Sequence, residues 1–443
     1  MKKIFFIVGC LLTALAINAQ DTAVHKFSVQ QAVDYAMKNN VQVKNTLLDV
    51  KIQEQVNREV TAAAYPQING NISLVDNLKP PVSLIPASFF GGPAGEYRKF
   101  PFGIKYNANA GVSLDQILFD GQVFVGLQAR KTVLDFFAKN VEVTEEVIKA
   151  NVYKVYYQLV VSKTQIELLD ANISRFEKLL HDTREIFKNG FAEKLDVDKV
   201  SVALSNLQTE KIKVLNQVSN GYLGLKLLMG MPVTDSLVLA DNLSYDQIKE
   251  GLLEKGQFQY NDRKEFQYAD LGIKLNQYNI KRYKLSKIPT VTFNGYYNEN
   301  AQRNSFNFFG SGDWFPVSAI TLRVTVPIFH GFSTNARIDR AKLELQKSIN
   351  QREALKLSID NEVTVAKNNF QSAIAALDFQ RKNMELAEEV YNQTKKKYEA
   401  GTGSQLEINN AQTDLKTAQV NYITSLYDAI IARVDYLKAI GKL

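Results

Sequence analysis

Two very long stretches of the chain carry hydrophobic residues at alternating intervals of four and three positions. Neither Gly121 to Gly190 nor Gly331 to Gly401 contains a proline. The repeating positions are Ile148, Val152, Val155, Leu159, Ser162, Ile166, Leu169, Ile173, Phe176, Leu180, Thr183 and Phe187, and then Ile359, Val363, Ala366, Phe370, Ala373, Leu377, Gln380, Met384, Ala387, Tyr391, Thr394 and Tyr398. A sustained heptad predicts helices that pack along their length like a coiled coil. At about 1.5 Å per residue, each would be about 100 Å long.

Four shorter segments alternate between polar and apolar residues, which predicts strands at about 67–75, 104–115, 290–297 and 319–326. Strands of about 9 to 11 residues with one apolar and one polar face are typical of outer-membrane barrels. A sheet packed on a helix in a soluble protein explains one such strand equally well. Four of them, beside the proline-, glycine- and aromatic-rich segments 77–103 and 299–316, favour the membrane. We expect both of these segments to be loops.

The same order of features occurs twice in the chain. Tyr65-Pro66 and Ile288-Pro289 each begin a strand, and 117–121 resembles 327–331 in the pattern of apolar residues before a glycine. Phe187 to Gly190 and Tyr398 to Gly401 end the two long helices. We therefore expect a first structural repeat over 20–240, with its long helix at about 122–189. The second covers 241–443, with its long helix at about 332–400.

The first 19 residues have the pattern of a secretory signal peptide. Lys2 and Lys3 precede an apolar stretch, and Ala19 precedes Gln20 at a plausible cleavage point. Residues 7–10 also resemble a lipoprotein box with Cys10 as the lipidated residue, although cleavage there would leave a very short apolar region. Ordinary cleavage gives a mature chain without cysteine, as suits the periplasm. No later segment approaches about 18 consecutive apolar residues, which excludes a helical inner-membrane transporter.

Charge and candidate chemistry point away from nucleic acid and from catalysis. The formal net charge is +7, but the lysines are spread among glutamates and the chain is exported, so a solvated surface is favoured over a nucleic-acid site. His25, His181 and His330 lie far apart and fit no metal spacing. No nucleotide-binding or catalytic motif is present. We expect no enzyme activity, no metal and no cofactor.

Four strands cannot close a membrane barrel by themselves. Open sheet edges are not tolerated in hydrocarbon, and the smallest spanning barrels have about eight strands. Identical copies must supply the rest, as a dimer of eight strands or a trimer of twelve, and a lumen wide enough for solutes favours the trimer. The predicted fold is mainly α, with long coiled-coil-like hairpins and four amphipathic strands per chain. These would close as a trimeric twelve-stranded barrel and a helical tunnel.

The sequence resembles the TolC-type outer-membrane efflux family. The resemblance rests on Phe27 to Val33 with Asn39-Asn40, on the Tyr65-Pro66 and Ile288-Pro289 strand starts, on 117–121 and 327–331, and on 226–232. It implies a homotrimeric channel in outer-membrane lipid that extends into the periplasm of a Gram-negative bacterium. Such a channel is a passive conduit of a tripartite efflux or type I secretion system, and it docks onto a periplasmic adaptor and an inner-membrane pump.

The resemblance also implies roles for the two helical turns at 190–196 and 401–407. Their tips would meet the adaptor, through the residues Gly190, Phe191, Gly401, Thr402 and Gly403. The periplasmic aperture would be formed by Asp196, Tyr398, Glu407 and Asn410. Two positions depart from the family pattern, because Asn410 replaces an acidic ring residue and Gly403 replaces an arginine. Glu407 is either part of a cation-binding ring or a surface acid at a helix start.

A periplasmic helical adaptor or scaffold without a membrane barrel is the alternative function. An adaptor should have one helical hairpin beside domains rich in short strands and glycine. This chain has two similar hairpins and amphipathic strand pairs, which favour the channel.

Overall fold

A computed structural model describes residues 24–101, 103–241 and 258–443. The predicted signal peptide and Cys10 lie outside the described residues. The chain is mostly helical and divides into two compact units. Unit 1 contains the described residues up to Asp49, together with those of Ala138–Tyr268 and Arg352–Leu443, and unit 2 contains Val50–Phe137 and Ala269–Gln351. Each unit therefore draws on both of the predicted repeats.

The elements follow one another in a simple order. They are β1 (Val24–Phe27), α1 (Val29–Asn39), α2 (Val41–Ala62), β2 (Gln67–Asp76), β3 (Val82–Pro86), β4 (Tyr97–Pro101), β5 (Tyr106–Phe119), α3 (Gly121–Lys188), α4 (Lys194–Met229), β6 (Ser236–Leu239), α5 (Lys264–Leu285), β7 (Thr290–Arg303), β8 (Phe315–Thr325), α6 (Ser333–Glu399) and α7 (Gln405–Ala439). Short 3₁₀ turns lie at Ala87–Phe90 and Tyr260–Asp262.

The core of unit 1 lies where α3, α4, α6 and α7 pack together. The heptad positions Leu169, Phe176 and Leu180 of α3 are buried there with residues of α4 and α7. A polar heptad residue fits the same core because its hydroxyl forms a hydrogen bond within its own helix. Thr183 is fully buried and donates a hydrogen bond to the carbonyl oxygen of Leu179 at 2.7 Å.

Near the start of unit 1, side chains cap the beginnings of two separate helices, α1 and α2. Ser28 and Gln31 form a capping box that begins α1. Asn40 ends α1 with an extended ψ of 133°, and α2 begins at the next residue. The Asn40 side chain donates to the carbonyl of Leu228 at 2.7 Å and accepts from the amide of Gln42 at 2.8 Å. These hydrogen bonds hold the break between α1 and α2 against the end of α4.

Unit 2 is organised around a four-stranded antiparallel sheet with the order β2-β5-β7-β8. Pairing aligns the polar side chains of neighbouring strands on one face, for example Asn69 with Ser113 and Asn109 with Asn300. The opposite face is apolar and exposed in the single chain. Its strand residues include Ile68, Ile72, Leu74, Val112, Ile320, Leu322 and Val324, of which Ile72 is 89% exposed.

The prediction that 77–103 is a loop was wrong. That segment contains an antiparallel hairpin in which β3 pairs with β4, from Val82 opposite Pro101 to Pro86 opposite Tyr97. Prolines at the strand ends concealed it, because proline within a short apolar run reads as a strand breaker. The second expected loop is shorter than its composition suggested, since β7 continues to Arg303 and β8 already begins at Phe315. No helix of the described residues is both long and apolar enough to cross a membrane.

Candidate functional site

The first helical tip joins α3 to α4 through a left-handed glycine. Gly190 has φ 80°, a conformation that a residue without a side chain adopts at little cost. Its amide donates to the carbonyl of Phe187 at 2.9 Å, and the amide of Phe191 donates to that of Ile186 at 3.0 Å. This pair of hydrogen bonds satisfies the last carbonyls of α3. Phe191 is left 86% exposed at the tip.

The second tip, between α6 and α7, has the same turn. Gly401 has φ 74° and donates to the carbonyl of Tyr398 at 3.0 Å. The amide of Thr402 donates to the carbonyl of Lys397 at 3.0 Å, and its hydroxyl donates to the same oxygen at 3.1 Å. Gly190 and Gly401 thus end the two long helices in equivalent ways.

Gly403 is held close to the backbone of the helix that precedes it. Its amide donates to the carbonyl of Lys397 at 3.0 Å. A Cβ atom at Gly403 would lie 2.9 Å from the backbone nitrogen of Tyr398, a distance that requires the backbone to shift. Any side chain at position 403, the arginine of the family pattern included, therefore requires a different turn at this tip.

The two acidic residues of the predicted aperture cap the helices that follow the tips. The amide of Glu193 donates to the carboxylate of Asp196 at 3.4 Å at the start of α4. At the start of α7, the amide of Ser404 donates to the Glu407 carboxylate at 3.2 Å, and the amide of Glu407 donates to the Ser404 hydroxyl at 3.2 Å. Both are capping boxes. Glu407 is nevertheless exposed, and so is Asn410 one turn further along α7.

Tyr398 is the centre of the hydrogen-bonded cluster at the second tip. Its hydroxyl donates to Oε1 of Gln405 at 2.5 Å, and Nε2 of Gln405 donates to Asn409 at 3.3 Å. The hydroxyl of Thr183, on α3, lies 3.5 Å from the same Gln405 oxygen. Burial raises the pKa of the Tyr398 phenol, and the charges of Asp182 and Asp196 raise it further, so the hydroxyl stays protonated as a donor.

The structure brings some of the predicted residues together and leaves others apart. Tyr398 hydrogen-bonds to Gln405, which the sequence analysis did not select, and Asp196 acts on Tyr398 only through its charge. The sequence does contain a signal for Gln405. Ser404 and Glu407 have the spacing of a capping box, which marks Gln405 as the first residue of α7. Among the described residues, no group of three or more His, Cys, Asp or Glu side chains is arranged to hold a metal ion.

Comparison with known proteins agrees with this architecture. A family model described as "Outer membrane efflux protein" matches residues 260–442. The outer membrane protein TolC of Vibrio cholerae is 22% identical over 340 residues, which are 76% of this chain and 77% of that protein. Over most of its length the chain is similar to outer-membrane efflux proteins of the TolC type. The resemblance inferred from the sequence motifs is thereby confirmed.

Other TolC-type proteins match over more of the chain. The cation efflux system protein CusC of Escherichia coli is 20% identical over 427 residues, 93% of this chain and 86% of that protein. A crystal structure of CusC superposes with a TM-score of 0.77 at 17% identity, covering 96% of this chain and 95% of that one. The matches support an outer-membrane channel over a periplasmic adaptor, and none of these proteins is named as an enzyme.

Proposed function

We propose that three copies of the chain close a twelve-stranded barrel and form a passive export conduit across the outer membrane and periplasm. The observation that carries this proposal is the sheet of unit 2, which has a polar face, an exposed apolar face and two edges, β2 and β8, that pair with no other strand of the described residues. Lipid can cover the apolar face, but it offers no hydrogen-bond partners to the free edges.

The direction of the strands makes closure by identical copies possible. All neighbouring strands are antiparallel and their number is even, so β2 and β8 run in opposite directions. The β8 strand of one copy can therefore pair with β2 of the next copy and continue the antiparallel pattern. Two copies give eight strands and three give twelve, and a lumen wide enough for solutes favours three.

We propose that the long helices α3 and α6 form a tunnel in the periplasm. We propose that the tips around Gly190, Phe191, Gly401, Thr402 and Gly403 dock onto an adaptor, and that the energy for export comes from an inner-membrane pump. The names of relatives support this assignment, since TtgC of Pseudomonas putida is called an efflux pump outer membrane protein and CusC a cation efflux system protein. Tyr398, Asp196, Glu407 and Asn410 would form the aperture.

Electrophoresis of the detergent-extracted outer-membrane fraction tests the assembly. We expect a heat-labile trimer band without boiling and a monomer band after boiling. Recovery of a folded monomer in a salt wash would contradict the proposal and support a periplasmic scaffold.

A pair of neighbouring substitutions tests which face of the sheet meets lipid. Ile72 lies on the apolar face and Asn71 on the polar face of β2. A lysine on the lipid face of a barrel costs about 2 to 4 kcal/mol near the midplane. Ile72→Lys should therefore lower the yield and heat stability of the trimer band, whereas Asn71→Lys should leave both nearly unchanged. Equal effects of the two substitutions would contradict a membrane barrel.

A further inference from the structure

The connections at one end of β7 and β8 enclose a basic and aromatic cavity in unit 2, here called the rim pocket. It has a volume of about 250 Å³ and is lined by Lys287, Ile328, Phe329, His330, Phe332 and Asn335, among others. A second cavity of about 330 Å³ shares Lys287 and Asn335 with it and adds Lys284, Asp339 and Lys342. The two cavities form one surface beside the end of the sheet.

Positive charge dominates this surface. Residues 281–287 contain four cations and no acid, namely Lys281, Arg282, Lys284 and Lys287. Lys342 is paired with Asp339 at 2.8 Å, but Nζ of Lys287 donates only to the neutral amide oxygen of Asn335, at 2.6 Å. In the described part of the chain, neither Lys284 nor Lys287 has a carboxylate within 4.0 Å. Two lysines are therefore available to an anion from outside the chain.

The same pocket presents large apolar side chains to the outside. Ile328 is 93% exposed, Phe332 73% and Phe329 69%. The rings of Phe329 and Phe332 meet edge to face at a centroid distance of 5.4 Å. Phe332 has φ 63°, a left-handed conformation that is rare for a bulky residue and that recurs at binding and switch sites.

The pocket lies where an interface between lipid and water is expected. The exposed Val324 lies at the end of β8 and the exposed Val326 directly after it, and the rim-pocket residues within 327–332 follow before α6 begins at Ser333. In the proposed barrel, the strand ends that join the long helices face the periplasm. Aromatic and basic side chains concentrate at such interfaces, where the ring meets the acyl region and the cation meets the headgroup.

The matching junction of the first repeat lacks this chemistry. Asp120 occupies the place of His330, and residues 58–64, which correspond to 281–287, contain only the opposite charges of Arg58 and Glu59. A basic junction is thus specific to the second repeat and is not required by the turn from strand to helix.

We infer that the rim pocket and the second cavity beside it bind the phosphate of an anionic phospholipid in the periplasmic leaflet through Lys287 and Lys284, with an acyl chain lying on Ile328 and Phe329. The inference rests on the barrel of the proposed function, which sets the direction of the apolar face. Solutes in the lumen would meet a different cavity, of about 760 Å³, lined by residues that include Asp115, Thr292 and Arg323. A neighbouring copy would pair along the outer edge of β8, whereas the rim pocket lies beyond the strand end, between connections of one chain.

Fluorescence quenching by brominated lipid tests the inference. The single tryptophan, Trp314, is replaced by phenylalanine, and Phe329→Trp places a reporter in the pocket. The purified trimer is reconstituted in phosphatidylcholine vesicles in which either the phosphatidylglycerol or the phosphatidylcholine fraction is brominated. We expect the anionic lipid to be about thirtyfold enriched at the reporter, the effect of two Lys–phosphate contacts at a membrane surface.

Charge variants and a soluble anion complete the test. Lys284→Gln with Lys287→Gln should reduce the enrichment to nearly onefold, while the control pair Arg58→Gln with Lys131→Gln, on α2 and α3 of the first repeat, should leave it unchanged. Inorganic phosphate in the buffer should not displace the lipid. Displacement by phosphate, equal quenching by both lipids, or no quenching by either, which would show protein covering the pocket, each overturns the inference.

The trimer band and the single-channel conductance of the same samples separate this outcome from the proposed function. An intact, conducting trimer without lipid preference overturns only the rim pocket. Loss of the trimer in every variant, including the unsubstituted chain, would instead contradict the barrel.

Discussion

The phenolic hydroxyl of Tyr398 donates a hydrogen bond to Oε1 of Gln405 at 2.5 Å, and this bond joins the end of α6 to the start of α7. Thr183 on α3 lies within 3.5 Å of the same oxygen. Three helices therefore converge on one amide oxygen at the second tip. If the tips form the aperture, this oxygen is a point at which a local change alters the resting state of the channel.

Tyr398→Phe should make the aperture open more readily. A neutral hydrogen bond contributes about 1 kcal/mol, so its loss shifts the equilibrium of each subunit about fivefold. Purified trimers in planar bilayers should show a higher mean single-channel conductance or longer open periods. Tyr422→Phe, in a part-buried position further along α7, is the matched control and should behave like the unsubstituted channel. Equal conductance of Tyr398→Phe and the unsubstituted channel would exclude a role for this hydrogen bond in closure.

Glu407→Gln should weaken the block of the channel by divalent cations. Glutamine also suits the third position of a capping box, so the substitution removes charge while keeping the start of α7. Carboxylates repeated around an axis attract cations, and one exposed carboxylate about 4 Å from a divalent cation contributes about 2 kcal/mol in water, or roughly a thirtyfold change in the Mg²⁺ concentration for half block.

A substitution that adds charge at Asn410 provides the converse test. Asn410 is exposed one turn beyond Glu407, so Asn410→Asp would add a second acidic ring and should strengthen the block. Glu399→Gln, an acid at the end of α6 before the tip, is the control. Unchanged block in both Glu407→Gln and Asn410→Asp would make Glu407 a surface cap only.

Glu146→Gln should stabilise the protein at neutral pH. Burial raises the pKa of Glu146 above its usual 4.5, the charge of Glu265 raises it further, and one carboxylate oxygen has no hydrogen-bond partner among the described residues. Because the pKa of Glu146 is higher in the folded than in the unfolded state, its charged form destabilises the folded state above about pH 4.5. This destabilisation fades as the pH falls through the pKa of the folded state. The melting temperature should therefore rise at pH 7, by about 1 °C for each kcal/mol of penalty removed in a chain of this length, and much less near pH 4.

Glu142, one turn earlier on α3, is a control of opposite sign. Burial alone would raise the pKa of its carboxyl, but Lys139 and Lys264 outweigh burial and lower the pKa. The Glu142 carboxylate therefore stabilises the folded state above about pH 4.5. This stabilisation is lost as the pH falls through the pKa that the carboxyl has in the folded state. Glu142→Gln should reduce the melting temperature at pH 7. Thermal unfolding followed by circular dichroism measures both variants. A change of melting temperature in the same direction for both variants would contradict the environments described for Glu146 and Glu142.

Much of the fold was predictable because periodicity reflects burial. The heptad over α3 and α6 selects residues that pack into shared cores, including Leu377, which is fully buried. Its polar members are tolerated because a threonine hydroxyl can bond to the carbonyl four residues earlier, as Thr183 does. Alternation likewise indicated β2, β5, β7 and β8, since the two faces of a strand meet different surroundings.

Pairings between distant segments were not predictable in the same way. The β1 strand pairs in parallel with β6, joining Val24 to Ser236, and both strands are too short to show a period. The β3–β4 hairpin lies in a segment whose prolines suggested a loop. At the tip, the hydrogen bond of Tyr398 depends on a rotamer of Gln405 that spacing alone does not fix. The local pattern of polar and apolar residues predicts helices and strands, whereas the hydrogen bonds between side chains depend on how these elements pack.

The outer edges of β2 and β8, which pair with no other described strand, also constrain how copies of the chain associate. Each copy presents two different edges, so the contact between neighbours is head to tail rather than two-fold symmetric. Such a contact repeats without limit unless the rotation between successive copies divides a full turn. The twist and tilt of the sheet therefore decide between a ring and an open filament. A change that alters curvature without weakening the contact itself should produce polymers instead of channels.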